Sequence, residues 1–168
     1  MRVVSRRIVH SSSYSFPAAE VHAALTDEQY WRDRLEQVGG PGAALEQVTT
    51  GPGTISVSMS QTIPAEHLPG IVTKIRPGDL LIKRTETWNA LVGERAACTF
   101  TAEVEGAPAT ISGTQTMTSI GTGSKVQLDG RAEVKIPLIG GKIEGAIADE
   151  VLRLIEKEQE FTHRWLGS

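Results

Sequence analysis

The chain has 168 residues, of which 39% are hydrophobic and 22% charged, with a formal net charge of −3. That balance is too apolar for a disordered chain and too near neutrality to be drawn to a phosphate backbone, so nucleic-acid binding is not expected. No apolar run approaches the roughly 18 residues of a membrane helix, and the single cysteine, Cys98, excludes an internal disulfide and any Cys-x-x-Cys metal site.

One domain spanning 1–168 is expected. The first 16 residues, MRVVSRRIVHSSSYSF, have no continuous apolar core behind their arginines. Neither a signal peptide nor an export signal is expected, and the protein reads as cytoplasmic.

The chain opens on a strand from about Val3 to Ser15. Pro17 then stands near the first position of a short helix, Ala18 to Leu25. Thr26-Asp27 caps a second helix, Glu28 to Val38, which Gly39 ends. Glycine and proline marks then recur at Gly39 to Gly42, Gly51 to Gly53, Pro64 to Gly70, Pro77-Gly78, Gly106 to Pro108 and Gly121 to Gly123. Between them lie segments rich in Thr, Val, Ile and Ser, the spacing of an antiparallel meander. Pro64 to Gly70 reads either as a rim loop over a cavity or as an ordinary connector.

Period-2 alternation gives each strand a dry face. From Thr54 to Ile63 that face is Ile55, Val57, Met59 and Ile63, with Gln61 as its polar exception. From Ala96 to Glu105 it is Ala96, Cys98, Phe100, Ala102 and Val104. From Lys125 to Leu138 it is Val126, Leu128, Gly130, Ala132, Val134 and Ile136. In Leu80 to Trp88, the positions Ile82, Arg84, Glu86 and Trp88 share a face, and its apolar ends turn it inward. The opposite phase, with Leu81 inside, stays open.

The last element, about Gly141 to Leu166, is an amphipathic helix with Ile143, Ile147, Val151, Leu154, Phe161 and Trp165 in one stripe. The dry sheet face is its one place of burial. Glu158 falls inside that stripe, so it needs a buried partner, with Arg84 the first choice. It reads either as a polar floor of a cavity or as a structural pair tying helix to sheet.

Other chemistry is sparse. His10, His22, His67 and His163 form no metal-ligand spacing, so no metal or other cofactor is expected. Cys98 has no neighbouring base and reads as a small buried hydrophobe. Ile139-Gly140-Gly141-Lys142 lacks the remaining positions of a phosphate loop and reads as a tight turn into the helix. Small inward residues (Ala96, Cys98, Ala102, Gly113, Gly130, Ala132) under a long helix predict an apolar cavity. A compact core filled by Phe100, Trp88, Met59 and Met117 is the alternative.

Three stretches carry a family resemblance: Phe16-Pro17-Ala18 through Leu25-Thr26-Asp27, Thr85-Glu86-Thr87-Trp88, and Val134 through Glu144. The ending Glu158-Gln159-Glu160-Phe161 with Trp165-Leu166 joins them. Together they resemble the START/Bet v 1-like (SRPBCC, polyketide cyclase/lipid-transfer) superfamily, in a branch found mainly in high-GC Gram-positive bacteria. The resemblance implies an α+β helix-grip fold: a curved seven-stranded antiparallel sheet, two short helices and a long C-terminal helix. It also implies a hydrophobic ligand pocket, but no particular reaction.

The expected function is binding of a lipid-like or polycyclic molecule between sheet and helix. Its candidate lining is Met59, Gln61, Arg84, Glu86, Trp88, Cys98, Phe100 and Ala102, with Gln115, Met117, Ala132, Ile143, Ile147, Val151, Leu154 and Glu158. An aromatase/cyclase-type enzyme, with Glu158, Glu86, Arg84 and His10 as acid–base candidates, is one alternative. A protein-interaction module using the wet sheet face is another.

Overall fold

The computed structural model describes residues 4–40, 42–68, 70–75, 77–105, 107–135 and 140–167. Strand β1 (Val4–Tyr14) is followed by helices α1 (Ala18–Leu25) and α2 (Glu28–Val38). Strands β2 (Ala44–Gly51) and β3 (Thr54–Ile63) come next, then a 3-10 turn (Ala65–His67) and helix α3 (Gly70–Ile75). Strands β4 (Leu80–Trp88), β5 (Arg95–Val104), β6 (Ala109–Ile120) and β7 (Gly123–Val134) lead into helix α4 (Gly140–Gly167). The seven strands form one curved antiparallel sheet in the order β1-β7-β6-β5-β4-β3-β2. Consecutive β1 and β2 thus lie on opposite edges, and α1 and α2 make the crossing between them.

Local chemistry places each end. Asp27 caps α2 by accepting from the Gln29 amide at 2.9 Å. Beyond α2, Gly40 takes φ +81°, a conformation that favours glycine and lets the chain turn back to the sheet. The 28 residues of α4 make a rod about 42 Å long at 1.5 Å per residue.

The alternating faces lie as their patterns require. Ile55, Val57, Met59 and Gln61 are buried, as are Ala96, Cys98, Ala102 and Val104, and Val126, Leu128, Gly130, Ala132 and Val134. The open phase of β4 resolves with Ile82, Glu86 and Trp88 inside. The expected continuation of β7 through Ile136 to Leu138, and the start of the Gly140 turn at Ile139, lie outside the described residues.

Helix α3 is a departure from the sequence pattern. Its run Ile71-Val72-Thr73 is β-branched, poor in helix propensity and too short to show a period. A second departure concerns the inward glycines. Gly113 and Gly130 do not leave space: a Cβ built on either would come within 2.9 Å of Phe100 Cζ. The two glycines, paired across β6 and β7, form the seat on which that ring lies.

Two apolar clusters hold α4 to the sheet. One gathers Trp31, Tyr30, Met59, Cys98, Met117 and Phe161 around α1, α2 and the end of α4. The other gathers Ile8, Val104, Ile111, Ala132, Val134 and Ile143 around the start of α4.

Candidate functional site

A cavity of about 220 Å³ lies between the sheet and the middle of α4. Its walls are mostly apolar: Leu25 from α1, Ile82 from β4, Phe100 and Ala102 from β5, Leu128 from β7 and Leu154 from α4. Its exposed lining residues, Gly40, His67 and Lys157, mark where it meets solvent. Of the segment read as rim loop or connector, Pro64 and His67 line that rim, and Pro69 lies outside the described residues.

One wall is polar. Glu158, 7% exposed, takes Arg34 Nη2 on Oε1 at 2.5 Å and Arg84 Nη1 on Oε2 at 2.8 Å. Arg84 Nη1 also donates to Gln61 Oε1, and Gln61 Nε2 reaches the Gly39 carbonyl at 3.4 Å. Arg34 lies with its guanidinium carbon 4.5 Å from the centre of the Trp31 ring, and its Nη1 donates to Tyr30 Oη at 3.5 Å. Thr162 donates to the Glu158 carbonyl at 2.8 Å, so Tyr30 donates to Thr162 at 2.6 Å. Three elements, α2, β4 and α4, are thereby tied through one carboxylate.

Burial alone would raise the Glu158 carboxyl. The charges of Arg34 and Arg84 and their hydrogen bonds outweigh it and hold Glu158 well below the ordinary carboxylate range. Burial works against the Arg34 charge too, and Glu158, Tyr30 and Glu86 more than restore it.

The comparisons place this architecture. Residues 9–166 match the family described as "Protein of unknown function (DUF2505)". The chain belongs to that family. Uncharacterized proteins of Mycobacterium tuberculosis and Mycobacterium bovis are each 34% identical to it, over 93% of this chain and 94% of theirs. Among solved structures, the Zhui aromatase/cyclase of a Streptomyces species superposes with a TM-score of 0.65 at 12% identity, covering 98% of this chain and 94% of that one. Norcoclaurine synthase of Thalictrum flavum gives 0.53 at 14% identity over 96% of each chain. Ara h 8.0201 gives 0.57 at 8% identity, over 95% of this chain and 98% of that one. The DUF2505 chain therefore has the START/Bet v 1-like helix-grip fold.

Its candidate residues divide by location. Gln61, Arg84, Glu86 and Trp88 line the cavity from β3 and β4, Phe100, Ala102 and Gln115 from β5 and β6, and Val151, Leu154 and Glu158 from α4. Met59, Cys98 and Met117 do not: they are packed in the cluster beneath Trp31 and Trp88. Ala132 and Ile143 are enclosed in the cluster at the start of α4, with Ile147 packed against it. The alternative core filling thus holds for Met59 and Met117 at that end of the DUF2505 domain, and Trp88 borders both core and cavity. Burial and the Glu86 charge push the Cys98 thiol up, which fits the packed reading of that residue. His10 lies outside the lining, with Nε2 3.4 Å from Gln159 Oε1.

Arg34, Tyr30, Tyr14 and Thr162 also line the cavity and carry no sequence assignment as site residues. A signal for Arg34 was present. It stands four residues after Tyr30 and next to Leu35, a charge set in the apolar face of α2, as Glu158 is set in that of α4.

Proposed function

We propose that the protein binds a small hydrophobic or amphipathic molecule in the cavity between β3 to β7 and α4. The observation that carries this reading is the cavity itself: about 220 Å³ of space with apolar walls and one polar wall. An engineered apolar cavity of roughly 150 Å³ accepts benzene. The space therefore suits a molecule of one or two rings, or a short chain, and a longer lipid would extend through the mouth. The structural neighbours named as an aromatase/cyclase and a norcoclaurine synthase support the use of this fold for small organic molecules. An enzymatic reading rests on Glu86, since Glu158 is engaged by two arginines and His10 lies outside the lining.

Two tryptophan substitutions separate cavity from core. Ala102→Trp should fill the cavity and lower uptake of a neutral naphthalene fluorophore about tenfold or more, with the far-UV circular dichroism spectrum retained. Ala132→Trp has no such space, because Ala132 is fully enclosed, and should instead lower the melting temperature. Undiminished uptake by a folded Ala102→Trp protein would argue against binding in this cavity.

A further inference from the structure

One oxygen on the polar wall is left over. Glu86 is 5% exposed and lines the cavity. Its Oε2 accepts from Trp88 Nε1 at 3.0 Å. Its Oε1 has Arg84 Nη2 at 3.9 Å, outside hydrogen-bond reach, and accepts no hydrogen bond among the described residues. Every other carboxylate oxygen of that wall is engaged: Glu158 Oε1 by Arg34, Glu158 Oε2 by Arg84. Oε1 is not closed off from the cavity, since the one buried side-chain atom without a partner among the described residues is Arg34 Nε, so a donor on a molecule entering the cavity can reach it.

The charges decide the kind of partner. Inside the cavity, Arg34 and Arg84 stand against Glu86 and Glu158, so the formal sum is zero. At the mouth, Glu150 pairs with Arg153, and Lys157 stands in water, where its field is screened. An entering carboxylate would meet Glu86 and would need an arginine already held by Glu158. An entering ammonium would sit beside Arg84. A neutral O–H or N–H group completes Glu86 and leaves the balance as it is.

We propose that the cavity selects neutral small aromatic or alicyclic molecules bearing a hydrogen-bond donor, with Glu86 Oε1 as the acceptor. The proposal rests on the binding reading above and adds the class of ligand. Hydrogen bonds to charged groups are among the strong ones.

Isothermal titration calorimetry with four matched probes tests it: 2-naphthol, 2-methoxynaphthalene, 2-naphthoate and 2-naphthylmethylammonium. The wild-type protein should bind 2-naphthol about tenfold or more tighter than each of the other three. Glu86→Gln makes the test specific. Trp88 Nε1–H can only donate, so the amide oxygen must stay on it, and the NH2 group then takes the place of Oε1. In that variant the advantage of 2-naphthol over 2-methoxynaphthalene should fall to about twofold or less. Equal or tighter binding of the carboxylate or the ammonium overturns the ligand class while leaving cavity binding in place. An undiminished 2-naphthol advantage in a folded Glu86→Gln protein overturns the role of Glu86. Should that variant fail to fold, the wild-type ranking still decides the ligand class. Absence of binding by all four probes contradicts this proposal and the binding reading together.

Discussion

Helix α4 buries two glutamates, and the sheet receives them in different ways. Glu144, 1% exposed, accepts the Val134 amide on Oε2 at 3.1 Å, a local tie between the end of β7 and the start of the helix. Glu158 is held by guanidinium groups from α2 and β4, far away in the chain. The first arrangement has one backbone donor among the described residues and sits beside a packed cluster. The second takes several charges out of water, which costs several kcal/mol per ion unless each is matched. It also lies on the wall of the cavity. Burial of a carboxylate on one helix face is thus solved as a fastening at one end and as a charge network beside open space at the other.

Breaking the network should have the largest effect. Glu158→Ala leaves Arg34 buried and unpaired and should cost about 3–5 kcal/mol. For a chain of this size that corresponds to a fall in melting temperature of roughly 10 °C, read by thermal denaturation. An unchanged melting temperature would place Glu158 in solvent.

Acid should weaken the same end of the helix. The Glu158 carboxyl is depressed from 4.5 to about 2 in the folded protein. A depressed carboxyl contributes stability above its unfolded value, and that contribution is lost as pH falls through the folded one. Urea midpoints of the wild type should therefore drop between about pH 4.5 and pH 2 more steeply than those of Glu158→Ala. Parallel curves for the two proteins would contradict the pairing.

Glu144→Ala should have the smallest effect. It removes one acceptor and leaves the Val134 amide buried, at about 1–3 kcal/mol, without changing uptake by the cavity. A loss equal to that of Glu158→Ala would erase the distinction between the two glutamates.

The contrast also shows how much of the site could be read from the chain. Period-2 alternation put Gln61 on the dry face and Glu86 and Trp88 on one shared face, whose apolar ends favoured the inward phase that the structure resolves, because a strand side chain has two directions to choose from. The helical period put Glu158 in the stripe of α4, and Arg84 followed as its partner. Glu144 escaped the same reading because it falls just outside the stripe, next to Ile143, where the helix begins against the sheet end. The period of α2 sets Arg34 in its apolar face, but its pairing with Glu158 required knowing that α2 faces α4, a tertiary fact that periodicity within α2 does not contain. Volume was the least legible quantity. Small residues were read as space, yet Gly113 and Gly130 seat Phe100 and Ala132 is enclosed, whereas Ala102 borders the cavity. Whether a small side chain leaves a void depends on what crosses above it, and that is set by the opposite layer.

The indole N–H signals of the three tryptophans give the most direct test of the cavity as a binding site. Trp88 lines it, while Trp31 and Trp165 do not: the Trp31 indole donates to the carbonyl of the lining residue Leu25 at 2.8 Å, and the Trp165 indole donates to Asp33 at 3.2 Å, away from the lining. In a 1H–15N spectrum titrated with 2-naphthol, the Trp88 indole signal should shift most and that of Trp165 stay nearly still, with Trp31, bonded to a lining residue, between them. A stationary Trp88 signal under saturating probe, or a larger shift at Trp165, would contradict binding between the sheet and α4.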